Sequence, residues 1–392
     1  MKRRLLQPAA LLDPDAAEPR SGSLLLDGPR IEAILDVDAA AGVDAERVEL
    51  PGAFVAPGFL DLHYHGGLAF PPVHDAREAL RRASDTLVRH GTTAFLATTV
   101  ALPQPGLVRL VEALAASIAD EPLAGAQAVG VHLEGPWIDA SAAGAQPPAG
   151  IRAVAPREVD AVLGASAGLT RLVTLAPEVD GAEHLLAVLA RRGIVAAIGH
   201  SRAAAPALER AVAAGARHVT HLFNAMSGLH HRDPGVAGFA LADDRLTCDL
   251  ICDGVHVHPD VVRVAARAKG ERLILITDRV DPPAAGARGE RVAADTALRD
   301  DGTAIRLSDG RLAGSRLTLD TAIRRFCEYT AATLLEAVAA CTLRPARVLG
   351  LERERGTLRP GARADLAVLG PDAVVRETWI GGEARYRAEE VS

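Results

Sequence analysis

The sequence predicts an α/β protein, a (β/α)8 TIM-like barrel carrying a small β-sandwich built from both chain termini. Three observations lead there. Eight short apolar runs alternate with alanine-rich helical stretches through the middle of the chain, the pattern of a parallel sheet with crossover helices. Most of these runs end in a polar residue suited to chemistry. The two ends of the chain share a different texture, short strands separated by tight turns.

Taken in order, residues 1–54 are expected to form the N-terminal part of the sandwich. Residues 1–12 start with Lys2, Arg3 and Arg4 and continue in leucine and alanine, superficially like a leader, but Pro8 and Asp13 cut the apolar stretch short. An opening strand is the better reading. The runs 23–26 (SLLL) and 31–34 (IEAI) flank Asp27-Gly28, a hairpin pattern. The barrel is expected over 55–347, with strands at 56–62, 93–98, 128–133, 171–175, 195–198, 218–220, 247–251 and 273–276. Helices are expected at 76–90, 107–119, 183–192 and 203–214 between them. Residues 348–392 complete the sandwich with strands at 365–369 and 374–380 and a turn at Gly381-Gly382.

Strand ends carry the functional signal. His63 and His65 follow the first strand, Thr98 and Thr99 the second, Glu134 the third and Glu178 the fourth. His200 follows the fifth, His221 and Asn224 the sixth, Asp253 and His256 the seventh, and Asp278 the eighth. In a barrel the C-terminal ends of all strands open on one face, where active sites sit. An open doubly wound sheet would not bring the first and last strands together and leaves the pattern unexplained.

Composition narrows the class. The chain has 392 residues, 49% hydrophobic and 24% charged, enough to bury a deep core and too apolar for disorder. A net charge of −7 with no basic tract disfavours nucleic-acid binding. No apolar window of about 18 residues escapes a charge or a Gly/Pro break, so no membrane helix is expected. Cys248, Cys252, Cys327 and Cys341 follow no paired motif and read as reduced thiols of a cytoplasmic protein.

His63-Tyr64-His65 sets two imidazoles on one side of a strand, since side chains alternate with period two. Alone, each of Glu134, His200 and His221 reads equally well as a solvated acid or a core histidine. At successive strand ends of one barrel they form a Glu/His set that can hold Zn²⁺ and leave a position open for water. Asp278 is placed to move that water's proton. His132 and Thr277 are candidates for orienting these groups, while His74, His90, His184, His218 and His258 read as structural or solvated. No phosphate-loop pattern is present.

At this point the sequence resembles the amidohydrolase superfamily, and within it the N-acetylglucosamine-6-phosphate deacetylases. The matching motifs are PGFLDLHYHGG (57–67), HLEGPW (132–137), GHS (199–201), THLFNAM (220–226) and RDPGVAG (232–238), then DGVHV (253–257), ITD (276–278), LAGSRLTLD (312–320), PARVLGL (345–351) and GTLRPGARADL (356–366). They follow the family's order over nearly the whole chain. The resemblance implies a divalent metal, zinc first, at Glu134, His200 and His221, with His63 and His65 matching the pair that holds a second ion in some members. The only lysines, Lys2 and Lys269, are misplaced for the carboxylated lysine that bridges two ions elsewhere in the superfamily; Glu134 can bridge instead. Asp278 and His256 are the implied catalytic residues. Ala145, Gln146, Asn224, Ala225, His256, Leu312, Ala313 and Gly314 are the implied substrate contacts, the last three in a loop closing over the sugar. Arg232 matches an arginine reaching the phosphate in a neighbouring subunit, which implies a homodimer. The implied reaction is hydrolysis of N-acetyl-D-glucosamine 6-phosphate to D-glucosamine 6-phosphate and acetate; the alternative is a zinc deacylase of another N-acylated amino sugar or an N-acyl amino acid. Two departures bear on the substrate: Gln146 where many relatives have histidine, and Arg279 where alanine is common, the latter expected to crowd the pocket or contact an anion.

Overall fold

The middle strands are apolar on both faces, so they need cover on both sides, which a barrel filled by its own side chains and wrapped in helices supplies. The computed structural model describes residues 3–69, 75–281, 291–293 and 296–389; His74 lies outside them. The chain opens with β1 (Arg3–Leu11), β2 (Ser23–Asp27), β3 (Arg30–Leu35) and β4 (Glu46–Pro57). The expected hairpin is β2–β3, closed at Asp27↔Arg30 by Gly28-Pro29. β1 pairs antiparallel with β2 and parallel with β4, and its register shifts after Pro8, which has no N–H to give the ladder.

Eight parallel strands follow: β5 (Phe59–Gly66), β6 (Thr92–Thr98), β7 (Gln127–Glu134), β8 (Thr170–Leu175), β9 (Val195–Ile198), β10 (His218–Val219), β11 (Thr247–Ile251) and β12 (Leu273–Ile276). Each pairs with the next. Just past β12 the Asp278 N–H donates to the His63 carbonyl at 2.9 Å, bringing the last strand back to the first. Helices between the strands bury one stripe each. In Gln104–Ala119 the stripe is Leu107, Leu110, Val111 and Leu114, the spacing of one helix face.

Two features differ from the sequence expectation. The run 56–62, read as one strand, is two: β4 ends at Pro57 and β5 begins at Phe59. Between them Gly58 donates to the Asp365 carbonyl, and a Cβ there would lie 2.2 Å from Thr93 side-chain atoms. The chain therefore leaves one sheet and enters the other at the single residue that lacks a side chain. The second difference is an extension after β12 of five short strands, β13 (Arg279–Val280), β14 (Arg291–Ala293), β15 (Thr296–Asp300), β16 (Ala304–Leu307) and β17 (Leu312–Ser315). It continues the barrel sheet in the order β5-β13-β17-β16-β15-β14.

The tail adds β18 (Leu366–Leu369), β19 (Val375–Ile380) and β20 (Glu383–Arg387), giving a second sheet in the order β20-β19-β18-β4-β1-β2-β3. Arg4 of β1 reaches Glu383 and the Gly382 carbonyl, both at 2.7 Å, so the sheet curls until an inner strand meets its edge. The β-sandwich so formed encloses Leu6, Leu24, Val55, Leu366 and Trp379. Among the described residues no helix is long and apolar enough to cross a membrane.

Candidate active site

Alternation along β5 turns Asp61, His63 and His65 to the same side of the strand, and all three are buried. His63 Nε2 and His65 Nε2 lie 3.1 Å apart. Glu134, the last residue of β7, stands against both: Oε1 is 3.4 Å from His63 Nε2 and Oε2 is 3.1 Å from His65 Nε2. On its other side Oε1 is 3.0 Å from His200 Nε2 and 2.9 Å from His221 Nε2, and those two nitrogens are 3.1 Å apart. Glu134 is thus shared by two trios, His63/His65/Glu134 and Glu134/His200/His221. Asp278 Oδ1 completes the cluster, 3.4 Å from His63 Nε2 and 3.3 Å from His65 Nε2.

The donor set fits a divalent cation. Nδ1–H of His65 donates to the Thr98 carbonyl (3.2 Å) and Nδ1–H of His200 to the Ala142 carbonyl (2.9 Å), an assignment made from these partners. Each ring then presents an Nε2 lone pair to the centre. The ring nitrogens that meet at 3.1 Å, His63 with His65 and His200 with His221, need a proton or a cation between them. The electrostatics agree. Burial pushes His65 down, but Asp278 and Glu134 outweigh it and bring the imidazole up to about 10. Burial likewise opposes His221, which Glu134 brings up to about 9. Burial would raise Glu134 and Asp278, yet the surrounding histidines hold both below the usual carboxylate range. The centre is built to contain positive charge.

His200, His221 and Asp278 have φ of +48°, +34° and +47°, left-handed values that non-glycine residues adopt at a cost. Hydrogen bonds hold each in place. The His221 N–H donates to Asp249, the His200 carbonyl accepts from Asp139 N, and the Asp278 carbonyl accepts from Ser315 N.

Asp61 and Asp249 escape the sequence reading. Asp61 accepts from Thr277 Oγ1 (2.6 Å) and from His63 N (3.1 Å), locking the first strand to the last beneath the cluster. Its burial raises the carboxyl to about 6 despite those bonds. Its one signal is position, two residues before His63 on the same strand face. Asp249 also meets His218 Nε2 at 3.0 Å, so that histidine is structural, as read. His132 touches His63 edge-on, with ring centroids 4.6 Å apart, and its Nε2 lies 2.8 Å from Thr174 Oγ1.

A cavity opens above the cluster. His65, Glu134, His200, His221, His256 and Asp278 form its polar part. His256 Nδ1 lies 2.6 Å from Asp253 Oδ2, while its buried Nε2 has no protein partner. Ala145, Gln146, Asn224 and Ala225 line one wall, and Leu312, Ala313 and Gly314 another. These last three lie on strand β17 rather than in a loop. Gln146 departs from a pure sugar-contacting role: its Oε1 accepts from Ala101 N (2.7 Å) and its Nε2 donates to Glu134 Oε2 (2.5 Å). The expectation for Arg279 is corrected. Asp278 and Val280 line the cavity, while Arg279 between them turns away from it, onto Asp281 (3.0 Å) and the Arg316 carbonyl. Arg232 stands outside the cavity wall, exposed, with Nη1 2.8 Å from His231 Nε2.

The profile of the amidohydrolase family matches residues 54–385. N-acetylglucosamine-6-phosphate deacetylase from Bos taurus is 36% identical over 358 residues, covering 88% of this chain and 86% of its own. N-acetylgalactosamine-6-phosphate deacetylase from Escherichia coli O157:H7 is 34% identical over 348 residues, covering 88% and 92%. Among solved structures, a variant of N-acetyl-D-glucosamine-6-phosphate deacetylase from Mycobacterium smegmatis in complex with N-acetyl-D-glucosamine-6-phosphate superposes with a TM-score of 0.88 at 34% identity, covering 98% of this chain and 100% of that one.

Proposed function

The chain belongs to the amidohydrolase family, and from that premise we propose that it hydrolyses N-acetyl-D-glucosamine 6-phosphate to D-glucosamine 6-phosphate and acetate. One observation carries the reading: Glu134 is shared by two histidine pairs, with Asp278 beside them and the unpartnered Nε2 of His256 in the same cavity. Glu134, His200 and His221 would hold a divalent ion, and His63 and His65 with Glu134 a second; the nitrogen and oxygen donors favour zinc. Bound there, the cation supplies Lewis acidity and makes water acidic enough to ionise near neutral pH.

The chain's own residues do the rest. Asp278, kept ionised by His63 and His65, accepts a proton from the attacking water and returns it to the departing amine. Asp253 accepts from His256 Nδ1–H and fixes the ring, and Nε2, protonated as well in the imidazolium form, donates to the acetamide oxygen as charge develops on it. Asn224 and the backbone of Ala225 take the phosphate, and Arg232 reaches it from the second copy of a homodimer. Ala145, Leu312, Ala313 and Gly314 enclose the sugar, beside Gln146. Four cysteines in no disulfide fit a cytoplasmic enzyme.

The test is acetate release, with zinc added or chelated, from N-acetylglucosamine 6-phosphate, its unphosphorylated parent and N-acetylgalactosamine 6-phosphate. Metal-dependent release from the first alone is expected. Faster turnover of the galacto epimer would reassign the sugar, and release from neither phosphate by metal-loaded protein would overturn the proposal.

A further inference from the structure

A second cavity lies at the opposite end of the barrel. It has a volume of about 830 Å³ and is walled by the N-terminal ends of β9 and β11 and the segments before β10 and β12, together with the ends of the helices packed beside them. The same four strands carry His200, His221, Asp253 and Asp278 beyond their other ends. Its lining includes seven basic side chains and one acidic one, Glu271, in a chain whose net charge is −7. Two of the seven are neutralised: Arg245 by Asp243 and Glu209, and Arg272 by Asp244. The other five, Arg217, Arg267, Lys269, Arg344 and Arg347, meet no carboxylate among the described residues.

Helix ends account for part of this charge. In a (β/α)8 barrel the helix C-termini gather at this face, and cations there offset their partial negative charge. Lys269 donates to the carbonyls of Ala240 and Asp243, Arg217 to those of Val212 and Ala216, and Arg344 to those of Gly270 and Leu273. Arg267 and Arg347 have no such use. Neither makes a hydrogen bond or an ion pair with its guanidinium among the described residues, and both are exposed at the cavity wall. Burial lowers Arg344 from its ordinary value against the opposing pull of Glu271 and Glu336, and Arg347 adds a smaller push in the same direction as burial.

We infer that this cavity binds a small organic phosphate carrying at least two phosphoryl groups. Guanidinium forks match phosphate oxygens two at a time. More than one phosphoryl group follows from two unbonded guanidinium forks, Arg267 and Arg347, with Arg217 and Arg344 beside them already donating to backbone carbonyls. An organic body follows from the half-buried wall of Ile194, Val195 and Val348 beside them. The volume falls in the ordinary range for small-molecule sites, roughly 300–1,000 Å³. The site is separate from the catalytic cavity and independent of the proposed reaction.

The experiment is titration calorimetry on metal-loaded protein at physiological salt, with fructose 1,6-bisphosphate and ADP as probes. Saturable binding of at least one is expected, weakened about tenfold or more by Arg267→Glu/Arg347→Glu; which probe binds separates a sugar from a nucleotide source. Both side chains are exposed and unbonded, so the fold should survive, and Arg267→Gln/Arg347→Gln replaces the pair if melting shows otherwise. Asn224→Ala reports on probe held in the catalytic cavity. Loss of binding in Asn224→Ala with none in the arginine variants, or no heat from either probe at millimolar concentration, overturns the inference.

Discussion

In the proposed reaction Asp278 is the residue on which turnover rests most directly. It sits where the barrel closes, pinned through its N–H to His63 and through its carbonyl to Ser315, so amide for carboxyl at this position removes the proton acceptor and leaves the backbone alone. Asp278→Asn should lower kcat by about 10²–10⁴-fold with unchanged melting and metal content; near-normal turnover would remove the residue from its assigned role. Gln146 acts one step back. Gln146→Leu strips the donor from Glu134 Oε2 and leaves the Ala101 N–H unpaired in the interior, which costs about 1–3 kcal/mol. Expected is faster loss of metal to a chelator, read by metal analysis over time, with a smaller change in KM. Retention equal to the unsubstituted protein would restore the plain sugar-contact reading. The candidate ligands show in the sequence because Glu134, His200 and His221 each close an apolar run and His63 and His65 alternate along one strand. Asp61 and Asp249 do not, because a carboxylate inside a strand carries no local mark that its partners are a threonine at the far end of the barrel and a backbone N–H one strand away.

At the scale of elements, the barrel was legible and its extension was not. Strands such as β9 and β12 are continuous apolar runs whose ends show in the sequence. β13 is two residues long, and its direction comes from pairing with β5 and β17, partners more than 200 and more than 30 residues away in sequence. That pairing decides which way Arg279 faces, so residue type alone pointed it wrongly into the pocket. The extension also governs Asp278. Gly314 on β17 has φ +98°, and a Cβ there would meet Val280 Cγ2 at 2.6 Å and the Asp278 carbonyl oxygen at 3.0 Å. Gly314→Ala must push β17 off β13 and disturb the Ser315 N–H bond to Asp278. Kcat should fall tenfold or more, and the strain should cost roughly 1–3 kcal/mol of stability. The check is kinetics beside a thermal melt. A stability loss with kcat intact would show that β17 does not position the aspartate.

For the whole molecule, the charge at the barrel mouth links metal, protons and stability. Without metal the cluster holds its carboxylates by keeping His65 and His221 protonated, up to about 10 and about 9, against about 6.5 in an unfolded chain. A raised folded pKa gives stability that is complete below the unfolded value and is lost as pH climbs through the folded one. Chelated protein should therefore melt at falling temperatures from pH 6.5 to 9.5. Loaded protein should not, since there the cation takes the protons' place; parallel slopes with and without chelator would contradict this. Subunit assembly supplies the sharper test of the molecule's organisation. Arg232 lies outside its own cavity wall, and in the proposed two-fold dimer each site would borrow it from the other copy. An Arg232→Ala subunit paired with an Asp278→Asn subunit then has one site with neither defect and one with both. Random mixing makes half the dimers mixed and half their sites whole, so about a quarter of wild-type activity should return at low substrate from two weakly active parents. Activity that stays at the mean of the parents would place Arg232 outside the neighbouring site.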